Sequence, residues 1–427
     1  MDKRLEKLIE FLDSAHSVYH ATALLVQELE DAGYRKLSEK ENWKLIPGGK
    51  YYLTRNGSAV VAFRVPEEAP RGFLMSASHG DRPTFKVKEN GELTGKYTRV
   101  AVERYGGMLI APWLDRPLSV AGRVMVETEQ GVESKLLDID RDLLLIPNVA
   151  IHMNRKANEG YAWNPAVDTL PLLGGKEDAG KFAQLLEEVA GGKILGHDLY
   201  LYIRQKASVW GIDEQYLSAA ALDDLECAWC CTQGFLASEE TDMIPVLCVF
   251  DSEEVGSGSL QGAASDLLES VLSRICQALK LELAQELSRS FMVSADNAHG
   301  LHPNHPEWAD ANNAPELGGG VVLKFNANQR YTTDGLSAAV FRKICRKAEV
   351  ATQTYCNRAD LPGGSTLGNI SLAHVSVPSL DIGLAQLAMH SCYETAAVSD
   401  ALSLEKAMQT YYGSRLYLED DGSFRLV

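Results

Sequence analysis

PVLCVFDSEEVGSGSLQGA, residues 245–263, is the stretch on which the fold turns. Its first six residues are apolar without interruption, the length and character of a buried strand. They run directly into Asp251-Ser252-Glu253-Glu254, and glycines and serines follow. Beyond them LLESVLSRICQAL, residues 267–279, reads as an amphipathic helix. Strand, polar turn and helix together form the repeating unit of an open α/β sheet, and such sheets place their sites at the carboxyl ends of strands.

The same grammar extends outward in both directions. Upstream, SAVVAFRV (58–65) and GFLMSAS (72–78) are short apolar runs bounded by turn residues. Two helices precede them, with Leu5, Leu8, Ile9 and Leu12 at helical spacing, then Leu24, Leu25 and Leu29. Downstream, FMVSA (291–295) and PSLDIG (378–383) read as further strands, the latter before a last helix. Between these halves the character changes. YTRVAVERY (97–105), LSVAGRVMVET (118–128) and HDLYLYIRQ (197–205) alternate apolar and polar residues, as half-exposed antiparallel strands do. The expectation is an α/β domain built from residues 1–87 and 217–427, interrupted by a β-rich insertion over 88–216.

Composition narrows the function classes. The 427 residues are 45% hydrophobic and 23% charged, enough for large cores and more than one domain. A net charge of −17 disfavours nucleic acid or an anionic membrane as a partner. No apolar run reaches the length of a membrane span, and MDKRLEKLIEFLDSAH reads as an amphipathic helix without a signal-peptide segment, so the cytoplasm is expected. Cys227, Cys230 and Cys231 form a C-x-x-C-C cluster, but no second pair stands at metal-binding spacing. They read as core cysteines of an apolar helix.

Groups of metal-ligand type stand at the ends of the apolar runs. GFLMSAS leads into His79-Gly80-Asp81, PVLCVF into Glu253-Glu254, and FMVSA into Asp296. Asp223 and Asp224 begin the helix after the insertion, and His390 follows LAQLAM. One such group alone is weak, since a lone histidine beside an apolar run is usually a satisfied structural residue. Together, imidazole and carboxylate without thiolate suit a hydrolytic metal site. Asp81, two residues from His79, is placed to hold the ring's other N–H. Adjacent glutamates suggest that one ligates while the other serves as general base.

The segments TRNGSAVVAFRV, SHGDRPTFKVK, IPNVAIHMNR, VFDSEEVGSGSLQGA, SFMVSADNAHGLHPN, NQRYTTDG and LAQLAMHSCYE resemble, in order, those of the aspartyl aminopeptidases. That family belongs to the clan of co-catalytic zinc exopeptidases, and the likeness runs from residue 4 to 412. It implies a zinc-exopeptidase-like domain with a mixed central sheet flanked by helices, and a dimerisation role for the insertion. It implies two Zn2+ per subunit, with Mn2+ or Co2+ as alternatives, and a homo-oligomeric dodecamer built from dimers. Carried over residue by residue, His79 and Asp296 hold one metal, Glu254 and His390 the other, and Asp223 bridges both. Asp81 orients His79, Glu253 is the general base, and His152 reaches a neighbouring subunit's site. The implied substrate is a peptide with a free N-terminus, and the implied reaction is release of its first residue through a metal-bridged water. The alternatives are a deacylase or dipeptidase of the same clan and, in another class, a catalytically silent assembly or cargo protein. The chain departs from the family at His79-Gly80-Asp81-Arg82, where H-T-D-S is usual, and at Ala219–Asp224, where S-P-R-L-D-N is usual. It also carries Asn328 where characterised relatives have a lysine suited to an acidic substrate side chain. Weaker preference for acidic N-termini is therefore expected, with Lys324, Arg330 and Arg82 as candidate replacement cations.

Overall fold

The computed structural model describes residues 2–364 and 366–427. The described residues form a nine-stranded mixed sheet in the order Arg35–Lys36, Lys50–Arg55, Ala59–Arg64, Ile244–Phe250, Phe73–His79, Phe291–Ala295, Ser379–Gly383, Val321–Phe325, Thr352–Cys356. Its centre is parallel: Phe73–His79 lies between Ile244–Phe250 and Phe291–Ala295 and pairs with both. The register sets Phe250 opposite His79 and Ser294 opposite Ala77, so the three strands end at one level.

Side chains alternate across these strands, as the pleat requires. Leu74, Leu247, Val249 and Val293 point to one core. That core is closed by helices Lys3–Ser14, Val18–Asp31, Leu222–Ala237, Gly335–Lys347 and Val398–Tyr412. Phe73, Met75, Val246, Cys248 and Phe250 point to the other core, under helix Leu267–Leu279. The fold is thus α/β, with helices on both faces of a mixed sheet. Helix Leu222–Ala237 is buried nearly throughout, and it packs so tightly on Val398–Tyr412 that a Cβ at Gly234 would lie 2.6 Å from Met408 Cβ. Cys227, Cys230 and Cys231 are fully buried on this helix, Cys227 donating to Asn297 Oδ1 and Cys230 to the Ala401 carbonyl.

A second, six-stranded antiparallel sheet contains Thr84–Leu93, Tyr97–Tyr105, Leu118–Thr128, Gly131–Asp138, Leu172–Gly175 and Ile194–Ile203. Helix Lys181–Ala190, which the alternating pattern around it did not announce, covers its core through Phe182, Leu186 and Ala190. Strand Lys50–Arg55, which its mixed sequence does not signal, pairs antiparallel with Ala59–Arg64 across a short turn. A smaller sheet, ordered Ser208–Trp210, Tyr216–Ala219, Glu394–Ala397, Ala385–Leu387, Ala298–His299, gathers three segments. They are the chain entering Asp223, the chain on both sides of His390, and the chain leaving Asp296. Among the described residues no helix is long and apolar enough to cross a membrane.

Candidate active site

The two sheets and the helix between them bring His79, Asp223, Glu254, Asp296 and His390 together. Asp223 lies in the middle: His79 Nε2 is 3.6 Å from its Oδ1, and His390 Nε2 is 3.4 Å from its Oδ2. His79 Nε2 also lies 4.0 Å from Asp296 Oδ1, and His390 Nε2 lies 3.4 Å from Glu254 Oε2. The helix does not begin regularly here. Asp223 and Asp224 have non-helical backbones joined by a cis peptide bond.

Each imidazole is held at its other nitrogen. His79 Nδ1 is 3.1 Å from the Asp81 carbonyl and 3.4 Å from Asp81 Oδ1; His390 Nδ1 is 2.5 Å from the Gly107 carbonyl. Asp81 does more than touch the ring. Its oxygens accept the Glu253 and Glu254 N–H groups at 3.1 and 3.2 Å, and the Tyr105 hydroxyl donates to it at 2.7 Å. It therefore ties the end of one central strand to the polar turn after its neighbour.

Burial and mutual repulsion dominate the electrostatics. Burial pushes the Glu254 carboxyl well above its ordinary value, and Asp223 adds to the rise. Burial likewise pushes Glu253 up to about 7, with Asp296, Asp81 and Asp223 adding and His79 opposing. For His79, burial alone favours the neutral ring, yet the carboxylates of Asp223 and Asp81 beside it hold its pKa well above the ordinary one. This crowding of buried carboxylates calls for a cation. The donor set fits zinc: His79, Asp223 and Glu254 offer ligand atoms within 4.8 Å of one another, and so do Asp223, Asp224 and Asp296. Asp223 Oδ1 and Glu254 Oε1 are buried without a hydrogen-bond partner among the described residues. Nitrogen and oxygen donors without thiolate suit a catalytic zinc site, and burial keeps the nearby Cys227 thiol protonated.

Residues 11–412 match the family described as aminopeptidase I zinc metalloproteases, M18. The chain belongs to the M18 family. The probable M18 family aminopeptidase 2 of Clostridium novyi (strain NT) is 40% identical over 435 aligned positions, covering 98% of each chain. Among solved structures, that of Ape4 in complex with Nbr1 superposes with a TM-score of 0.93 at 34% identity, covering 96% of this chain and 85% of that one. The S. cerevisiae mApe1 dodecamer superposes with a TM-score of 0.85 at 26% identity, covering 96% and 97%. This M18 aminopeptidase is thus a zinc metalloprotease hydrolase, in the class that the aspartyl aminopeptidase resemblance implies.

His152 lies apart in this M18 chain. It is exposed, between Ile151 and Met153, which are 47% and 82% exposed. Among the described residues no hydrogen bond or ion pair joins it to the cluster. The candidate replacement cations fare differently from one another. Lys324 is 2% exposed and donates to the carbonyls of Asp296 and Asn297 at 2.7 and 3.2 Å, with Asp296 Oδ2 at 3.4 Å. It serves the cluster from behind and does not face a substrate. Arg82 is largely enclosed behind Asp223, where burial lowers its pKa to about 10. Arg330 is exposed beside Asn328 on an open groove. A cavity of about 320 Å³ reaches Met389, next to His390, and is lined by His299, Trp308, Tyr355 and Arg358 among others. Arg358 is already paired with Asp360 at 2.7 Å.

Proposed function

We propose that this M18 aminopeptidase holds two Zn2+ per subunit and removes single residues from peptides with a free N-terminus. His79 and Asp296 would hold one ion, His390 and Glu254 the other, and Asp223 both. The observation that carries this reading is the one buried carboxylate with an imidazole at each oxygen, 3.6 and 3.4 Å away. Zinc bound there supplies Lewis acidity that activates a water near neutral pH and polarises the scissile carbonyl. Glu253 accepts the attacking water's proton on its carboxylate and returns it to the leaving amine. Asp81 fixes the Glu253 backbone N–H, and the influence of His79, Asp296 and Asp223 on the Glu253 carboxyl supports a place beside the cluster. Asp81 and Gly107 hold the imidazoles with Nε2 turned inward.

The reading extends to assembly. Residues 88–216 would form a dimer contact through which His152 enters a neighbouring subunit's site, where its N–H donates to the developing oxyanion. Exposed apolar residues around it, Val149, Ile151 and Met153, suit a surface covered in an oligomer. The dodecameric solved relative suggests the same assembly here, dimers joined into a dodecamer. Eight free cysteines, seven of them buried, suit a reducing cytoplasmic setting.

Glu253→Gln tests the assignment of the base. The variant should keep zinc and its oligomeric state yet lose kcat by a factor on the order of 10² or more on an aminoacyl substrate. A variant near the wild-type rate would put the base elsewhere.

A further inference from the structure

Glu394 has no part in the chemistry above, yet both its oxygens are committed. Oε1 accepts the backbone N–H of His390 at 2.7 Å, and Oε2 accepts that of Asp223 at 3.0 Å. The side chain is 1% exposed. Both recipients have irregular backbones. His390 has φ 66°, a left-handed conformation that a residue with a side chain rarely adopts. Asp223 has φ −83° and ψ 106° at a helix start, where regular N–H partners are missing. Without Glu394 the buried Asp223 N–H would lose its acceptor, and so would the N–H of the left-handed His390.

Glu394 is itself anchored. It opens strand Glu394–Ala397, and its partner there is Ala219, four residues before Asp223. Arg82, where the chain departs from the family pattern, lines the same small cavity as Glu394 and Asp223 and is the basic residue there. Glu394 opposes the burial that lowers the Arg82 pKa, although no ion pair joins the two among the described residues. The remaining ligands are held otherwise: the His79 N–H donates to Asp224 Oδ2 at 3.1 Å, and Asp296 is held by Lys324.

We infer that Glu394 is a positioning residue that sets the distance between Asp223 and His390 and thereby the affinity of the ion these two share with Glu254. This rests on the two-zinc reading above. Its effect should fall mainly on that ion, because Glu394 holds both Asp223 and His390 there but only the shared Asp223 at the other, and touches neither His79 nor Asp296.

The test is zinc titration of the metal-depleted full-length protein against a chromophoric zinc chelator. Wild type, Glu394→Ala and Glu394→Gln are compared. Alanine removes both acceptors. Glutamine keeps the shape but turns an NH2 toward one of the two N–H groups. Wild type should take up two ions per chain. Each variant should bind one ion ~10–100-fold more weakly, the usual effect of losing a group that orients a ligand, and the other with a clearly smaller loss. Excess zinc should restore much of the activity of Glu394→Gln and none of that of Glu253→Gln. Thermal unfolding of the metal-depleted proteins identifies a variant that has not folded; if alanine fails, glutamine decides. Equal weakening of both ions, or two unchanged affinities, overturns the inference. A wild type that binds only one ion sinks the two-zinc reading instead, and Glu394 is then judged on that ion, where unchanged affinity in the variants overturns its role.

Discussion

Replacing Lys324 with methionine keeps the length of the side chain and removes its charge and its three donors. In the structure that ammonium satisfies two backbone carbonyls and lies 3.4 Å from Asp296 Oδ2, all in a fully enclosed position. Methionine leaves the carbonyls unpaired and the Asp296 carboxylate without its buried cation. Breaking a buried pair from one side costs ~3–5 kcal/mol, because the remaining charge stays desolvated. An unfolding entropy of about 2.1 cal/mol/K per residue, over 427 residues, amounts to about 0.9 kcal/mol/K. The metal-depleted variant should therefore melt about 3–6 °C below the wild type, compared by circular dichroism at equal protomer concentration. Saturating zinc should narrow the gap, since a metal cation beside Asp296 replaces the countercharge that the variant lost. A fall of less than about 1 °C in the metal-depleted protein would mean that the ammonium does not sustain this carboxylate. A gap that widens with zinc would refute the countercharge argument.

The joint between His16 and the inserted sheet should be sensitive to acid. Burial alone would raise the Asp138 carboxyl, but hydrogen bonds from His16 and Tyr202 bring it down from 3.8 to about 2. A carboxyl with a depressed folded pKa contributes stability above its ordinary pKa and loses it as the pH falls through the folded one. The melting difference between wild type and Asp138→Asn should accordingly shrink as the pH drops from 3.8 to about 2; a constant difference would speak against the His16 contact. If His152 completes a neighbour's site, co-expressed His152→Ala and Glu253→Gln chains should recover part of the activity that each lacks alone. No recovery in mixed oligomers verified by mass would remove His152 from that role. Asn328 is exposed, so a lysine there gains an exposed ion pair with an acidic substrate, worth up to about 1 kcal/mol. Asn328→Lys should raise the ratio of kcat/KM for Glu over Leu substrates up to roughly fivefold, and an unchanged ratio would mean that position 328 does not meet the side chain.

Much of the fold was legible because its central strands are continuous apolar runs. FMVSA is a strand over the same five residues in the structure, and LLESVLSRICQAL is a helix over the same thirteen. Strand Lys50–Arg55 escaped notice because KYYLTR mixes charged, aromatic and apolar residues, and its burial comes from its position on Ala59–Arg64. Helix Lys181–Ala190 is short and stands among alternating strands, so its amphipathic pattern was lost in theirs. The residues that converge on Asp223 each stand at the end of an apolar run or at the start of a helix, which is a local signal. Lys324 and Glu394 carry no such signal. Lys324 is one basic residue among 41, and only the antiparallel pairing of its strand with Ser379–Gly383 turns it toward Asp296. Glu394 acts on a backbone N–H 171 positions away, a relation with no trace in local spacing.

The order of the central strands bears on how the chain comes to be made. Phe73–His79 finds both its neighbours in the second half of the sequence, at Ile244–Phe250 and Phe291–Ala295. A growing chain that has not yet reached residue 244 holds a strand that is wholly buried in the finished fold but has two open edges, a form inclined to pair with strangers. The inserted sheet, by contrast, is complete in sequence by Ile203. During synthesis the middle of the molecule can thus settle first, while the earliest strands wait for late partners. Slow, non-local closure of this kind leaves a chain exposed to aggregation while it folds. It also makes the gathering of the histidine and carboxylate cluster a late event, since Asp296 and His390 join it only with the last third of the chain.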